Sequence, residues 1–71
     1  MAGPAASAFA IAKAIATRKA RAALAGAQLI EIEDDEGRPV LILTRWALTR
    51  AFTWDELDAL DRTLTLMGAP A

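Results

Sequence analysis

Val40-Leu41-Ile42-Leu43 is four apolar residues in a row, placed directly behind a proline, in a chain of only 71 residues. Side chains alternate across a strand, so a strand through this run carries hydrocarbon on both faces and reads as central, with a neighbour on each side. Pro39 lacks an N–H and can only begin that strand. The preceding neighbour is Gln28 to Glu33, which places Ile30 and Ile32 on one face and Leu29, Glu31 and Glu33 on the other. Between the two, Asp34-Asp35-Glu36-Gly37 has the composition of a hairpin loop closed by a glycine bulge. The second neighbour has to come from Ala47-Leu48-Thr49-Arg50-Ala51-Phe52, where Thr and Phe suit a strand. No Gly, Asn or Pro marks a turn at Arg45-Trp46, so one long bent strand over 40–52, or a helical turn over 44–52, competes with the third strand. The third strand is favoured because strand two needs it.

Helices flank this meander. No Gly or Pro interrupts the alanine-rich stretch between Pro4 and Gly26, which gives a helix from Ala5 to about Ala25. At 100° per residue Ala8, Phe9, Ile11, Ala12, Ile15, Ala16, Ala20, Ala22 and Ala23 fill an apolar half, with Lys13, Thr17, Arg18 and Arg21 opposite. Lys19 falls inside the apolar half, where its stem can lie along the surface with the ammonium in water. Thr53-Trp54-Asp55-Glu56 is a capping box and opens a second helix. Leu57, Leu60, Leu64 and Met67 form its apolar stripe, Asp58 and Arg62 an exposed i,i+4 pair, and Gly68 and Pro70 its end. The expected fold is α+β: one small α-β-β-β-α domain over 1–71, a three-stranded antiparallel meander with both helices on one face, and frayed tails at 1–4 and 69–71.

The chain contains no cysteine and no histidine, which removes disulfides, zinc sites and most nucleophilic and acid–base chemistry. Asp34, Asp35 and Glu36 cluster on a hairpin tip where all three are solvated, and they lack the alternating ligands of a calcium loop. A chain of this size also has little room for a pocket of roughly 300 Å3. The expectation is no enzyme, no cofactor and no metal. A lone core below about 70–80 residues supplies only about 3–5 kcal/mol, so self-association is the expected supplement. Half the circumference of the first helix is more apolar surface than the sheet covers, and Phe9, Ile11, Ile15 and Ala16 are the candidate homodimer contacts.

Charge is divided along the chain: no acid precedes Glu31, and from there acids outnumber bases nine to four. The acid-free N-terminal thirty residues have a transit-peptide composition, but their removal would leave about forty residues, below the size that folds unaided. No stretch reaches the roughly 18–20 apolar residues of a membrane span. A cytoplasmic, non-membrane chain is expected, and six Arg against two Lys, with abundant Ala, points to a GC-rich bacterium or its phage. The leading functional expectation is a binding module for a protein partner, in the class of adaptors, regulators or inhibitors that occlude nucleic-acid-handling or defence complexes. Its candidate contacts are Arg45, Trp46, Arg50 and Trp54, because Trp and Arg are enriched at interface hot spots; for Trp54 the favoured expectation is a core role, stapling the second helix to the sheet with Phe52. The acidic residues Glu31, Glu33, Asp34, Asp35 and Glu36, with Asp55, Asp58 and Asp61, could imitate nucleic-acid phosphates. The alternative is DNA binding, through Arg38, Arg45, Arg50 and Trp46 on the sheet or through Lys13, Arg18 and Arg21 on the first helix. Pairing of the strand arginines with Glu31 and Glu33 is the simpler expectation for those charges.

Overall fold

The computed structural model describes residues 4–70, with side chains from Phe9 onward. Helix α1 (Pro4–Leu24) leads into strands β1 (Gln28–Glu33), β2 (Pro39–Arg45) and β3 (Leu48–Thr53), then a 3-10 turn (Trp54–Glu56) and helix α2 (Leu57–Leu66). The sheet is antiparallel in the order β1-β2-β3. Its central row aligns Ile30, Ile42 and Ala51, and the adjacent rows align Leu29, Leu43 and Arg50, and Glu31, Leu41 and Phe52. The doubly apolar β2 is central, as the residue pattern requires. The first hairpin closes as Gly37 (φ 77) turns the chain while the Asp34 carboxylate accepts from the Glu36 and Arg38 amides at 2.9 and 2.8 Å. The second has no such residues. Its two-residue loop is Trp46-Ala47, with Trp46 itself at φ 56.

Both helices pack on the face of the sheet that presents Leu29, Leu41, Leu43 and Phe52, and the core they close contains Ile15, Ala22, Leu60, Leu64 and Ala69. Leu57 and Met67 complete the expected stripe of α2 as half-buried members. Helix α1 is rotated from its expected docking. Ile15 and Ala22 enter the core and Ile11 and Ala25 pack against it, while Ala12, Ala16, Ala20 and Ala23 stay exposed. The rotation has a physical cause: the larger isoleucines gain more from burial than alanine does, and it brings Arg18 and Arg21 against α2. There Asp61 binds both guanidinium groups, at 2.9 Å to Arg18 and 3.1 Å to Arg21. Arg21 also donates to the Pro70 carbonyl at 2.8 Å. The 69–70 segment is therefore docked rather than frayed, with Ala69 buried and its amide bonded to the Leu64 carbonyl. Residues 1–3 and 71 lie outside the described residues. Arg62 reaches the Asp58 carbonyl at 3.5 Å rather than its carboxylate, so the expected i,i+4 ion pair is not formed.

The helix ends are closed with care. Gly26 (φ 73) and Gly68 (φ 95) let the Ala27 and Ala69 amides fold back onto the Ala22 and Leu64 carbonyls at 2.8 and 2.9 Å, the Schellman arrangement for α1 and α2 alike. At the start of α2, the Thr53 amide donates to Glu56 Oε1 at 2.9 Å, closing the capping box from the glutamate side. That backbone bond, first among the causes, holds the Glu56 carboxyl below its ordinary pKa. A group with a lowered folded pKa stabilises the fold above its unfolded pKa, and loses that contribution as pH falls through the folded value. Glu56→Ala is therefore expected to melt below wild type at neutral pH. The gap should close on acidification below the ordinary glutamate range, as followed by circular dichroism melts.

A candidate protein-interaction surface

Trp46 is 89% exposed at the tip of the β2–β3 hairpin. A positive φ on a bulky residue carries strain of about 1–3 kcal/mol, tolerated where the surroundings fix it. What fixes it here is Arg45. Its Nη1 lies 3.3 Å from both the Ala25 and the Met67 carbonyl oxygens, bridging the C-terminal ends of the two helices, where a cation also complements the helix dipoles. The same guanidinium stands 4.8 Å from the Trp46 ring centroid. One arginine thus ties the hairpin tip to both helices and backs the indole. Leu48, also exposed, pairs across the loop with Arg45. Arg50 follows on the same strand, its guanidinium 4.7 Å from the Phe52 ring centroid. Trp46→Gly is expected to leave stability unchanged or raise it by up to about 1 kcal/mol, since relief of φ outweighs the exposed cation–π contact. A tryptophan belonging to the core would instead cost about 3–5 kcal/mol on truncation, so a chemical denaturation curve separates the two.

The remaining candidates do not join this tip. The two hairpin loops lie at opposite ends of β2, so Asp34, Asp35 and Glu36 are separated from Trp46 by the length of the sheet. All three are exposed, and Asp34 is held in the turn by its two amide bonds. The acidic hairpin shares its end of the sheet with the start of α2, where Arg38 pairs with Asp55 at 2.6 Å; that ion pair raises the Arg38 pKa further. Trp54 is half-buried against the core and belongs to the packing of that end. Glu31 and Glu33 are exposed, and no ion pair links them to Arg38, Arg45 or Arg50 among the described residues. The expected cross-strand pairing fails because Glu31 faces Leu41 and Glu33 faces Pro39, while Arg45 and Arg50 sit towards the far end.

On α1, Phe9 and Ala16 are exposed, Ile11 is half-buried and Ile15 is a core residue, so the four do not form one free surface. Ile11, Ala12, Ile15, Ala16, Lys19 and Glu31 instead line an open groove of about 340 Å3 between α1 and β1. The chain has more concave space than its length suggested, because α1 meets the sheet along one side only. Among the described residues no three acidic side chains converge as a metal requires, and no helix is long and apolar enough to cross a membrane.

Residue patterns overlooked one surface. Helices cover one face of the sheet; the other carries Gln28, Ile30, Ile32, Val40, Ile42, Thr44, Thr49, Ala51 and Thr53. Ile30 and Ile32 remain 42% and 46% exposed there. The signal was present in the shared parity of Leu29, Leu41, Leu43 and Phe52, which turns Ile30 and Ile32 away from the core. No protein-family model, curated protein or solved structure matches this chain.

Proposed function

We propose that the chain is a non-enzymatic, cytoplasmic regulatory module that binds a protein partner through the β2–β3 hairpin tip and acts by occupying the partner's surface. The observation that carries the reading is Trp46: an indole 89% exposed, strained at φ 56 and braced by Arg45. A rigid aromatic with arginine beside it supplies a large contact area at low entropy cost. The complementary surface is an apolar slot for Trp46 and Leu48 with an acidic rim for Arg50. The competing DNA reading needs free cations, and four of its six candidates are engaged: Arg38 with Asp55, Arg18 and Arg21 with Asp61, and Arg45 with helix carbonyls.

The test uses immobilised wild-type protein and Trp46→Ala as paired baits on nuclease-treated lysate, with labelled duplex and single-stranded oligonucleotides titrated in parallel. A stoichiometric protein retained by wild type and lost on Trp46→Ala, with no oligonucleotide binding at near-physiological salt, is the expected result. Oligonucleotide binding that weakens steeply with salt and is lost on Arg50→Ala would replace this reading with the DNA one.

A further inference from the structure

We infer that the open face of the sheet is a homodimer interface, occupied by the same face of a second copy. An antiparallel sheet with one solvated face normally alternates apolar inward and polar outward. This sheet keeps its core residues inward but departs from the pattern in where its charges lie. Its strand charges, Glu31, Glu33, Arg45 and Arg50, all sit at positions of the helix-side parity, and the open side carries no charge at all. Ile30, Ile42 and Ala51 form its central row, Ile32 and Val40 extend it, and Thr44, Thr49, Thr53 and Gln28 stand at its two ends. Apolar side chains fill the middle row and, apart from Thr53, the row towards the β1–β2 hairpin, while the row at the β2–β3 end is wholly hydroxyl and amide, so an apolar core is bordered by a partial polar rim.

The charge distribution selects the occupant. An isologous contact sets a surface against its own copy, so any charge near the two-fold axis would face its like; a face without charge is self-complementary by default. It also offers a foreign protein nothing to steer by or to fix register. Two such sheets would stack about 10 Å apart with strands within about 30° of each other, interdigitating the isoleucines. The helices would then form the outer layers. Area bounds the size class of the contact. Three strands of about six residues span roughly 20 by 14 Å, and with its corrugation the face buries about 500 Å2 per copy, near the lower bound for a specific interface. A face this small gives a weak, reversible dimer. The hairpin tip with Trp46 lies beyond the end of β2, so pairing and partner binding are separable.

Sedimentation velocity over roughly 1–500 μM tests the inference, with circular dichroism confirming that each variant is folded. Wild type should pass from monomer to dimer mass with little dependence on salt, because no charge contributes. Ile30→Lys and Ala51→Lys, one on each edge strand, should each raise the dissociation constant at least tenfold, while Ala16→Lys and Phe9→Lys on α1 leave it unchanged. Should one lysine variant fail to fold, the other decides. A chain that stays monomeric throughout overturns the inference, as does a dimer broken by the α1 variants and indifferent to those on the sheet. Neither result touches the Trp46 reading, which is scored on the partner.

Discussion

Asp61→Ala is expected to lower folding stability by about 2–3 kcal/mol, because it leaves two half-buried guanidinium groups without their carboxylate. The two ion pairs, at 2.9 and 3.1 Å, join α1 to α2 beside the shared core and the Arg21–Thr65 hydrogen bond. Partial exposure keeps the loss below that of a fully buried pair. Arg18 is the more sensitive of the two arginines: its Nε is already buried without an acceptor, and Asp61 is the only carboxylate its Nη2 reaches among the described residues. The same variant carries a second readout. Freeing Arg18 and Arg21 restores the basic helix face that their pairing removes, so Asp61→Ala should gain weak, salt-sensitive oligonucleotide binding where wild type has none. Urea denaturation and anisotropy titration check the two effects. A variant as stable as wild type would mean that the Asp61 ion pairs add nothing to the packing and the remaining hydrogen bonds.

Phe52→Ala is expected to leave the chain unfolded at room temperature. Phe52 is the largest of the fully buried side chains and packs beside Leu41, Leu43, Leu60 and Leu64. Truncating a buried phenylalanine costs about 3–5 kcal/mol through lost transfer energy and the cavity left behind. Net stability for a chain of this size is itself about 3–5 kcal/mol, so nothing is left over. Far-UV circular dichroism without denaturant checks it: the expected spectrum lacks the cooperative melt of wild type. Loss of only about 1 kcal/mol would show that the site collapses around the smaller residue.

Element order and strand centrality were legible because each rests on a local rule. The double-sided Val40–Leu43 run demanded two neighbours, Gly26 and Gly68 stopped the helices, and Thr53 with Glu56 opened α2. The β2–β3 turn was not legible, since its loop residues are Trp46 and Ala47 and the positive φ falls on a residue that seldom adopts one. A long-range tie, Arg45 across both helix ends, holds that turn. The docking face of α1 was misread for a related reason. Alanine gives an apolar arc nearly everywhere around this helix, so periodicity could not orient it, and the choice fell to Ile11, Ile15 and the reach of Arg18 and Arg21 to Asp61. The candidate site was half legible. Arg45, Trp46 and Arg50 do gather at one hairpin, but the acidic loop lies at the other end of the sheet, which only the strand register reveals.

The fold holds Trp46 outward while it engages half of its cations internally. Tryptophan fluorescence in Trp54→Phe isolates the Trp46 indole and tests that claim most directly. An emission maximum near that of solvated indole, with efficient quenching by acrylamide and iodide, is the predicted result; on Arg45→Ala quenching by neutral acrylamide should deepen as the stacked guanidinium is lost, while iodide loses the attraction of that cation. A blue-shifted emission resistant to both quenchers would return Trp46 to a packed environment and remove the basis for the hairpin tip as a binding surface.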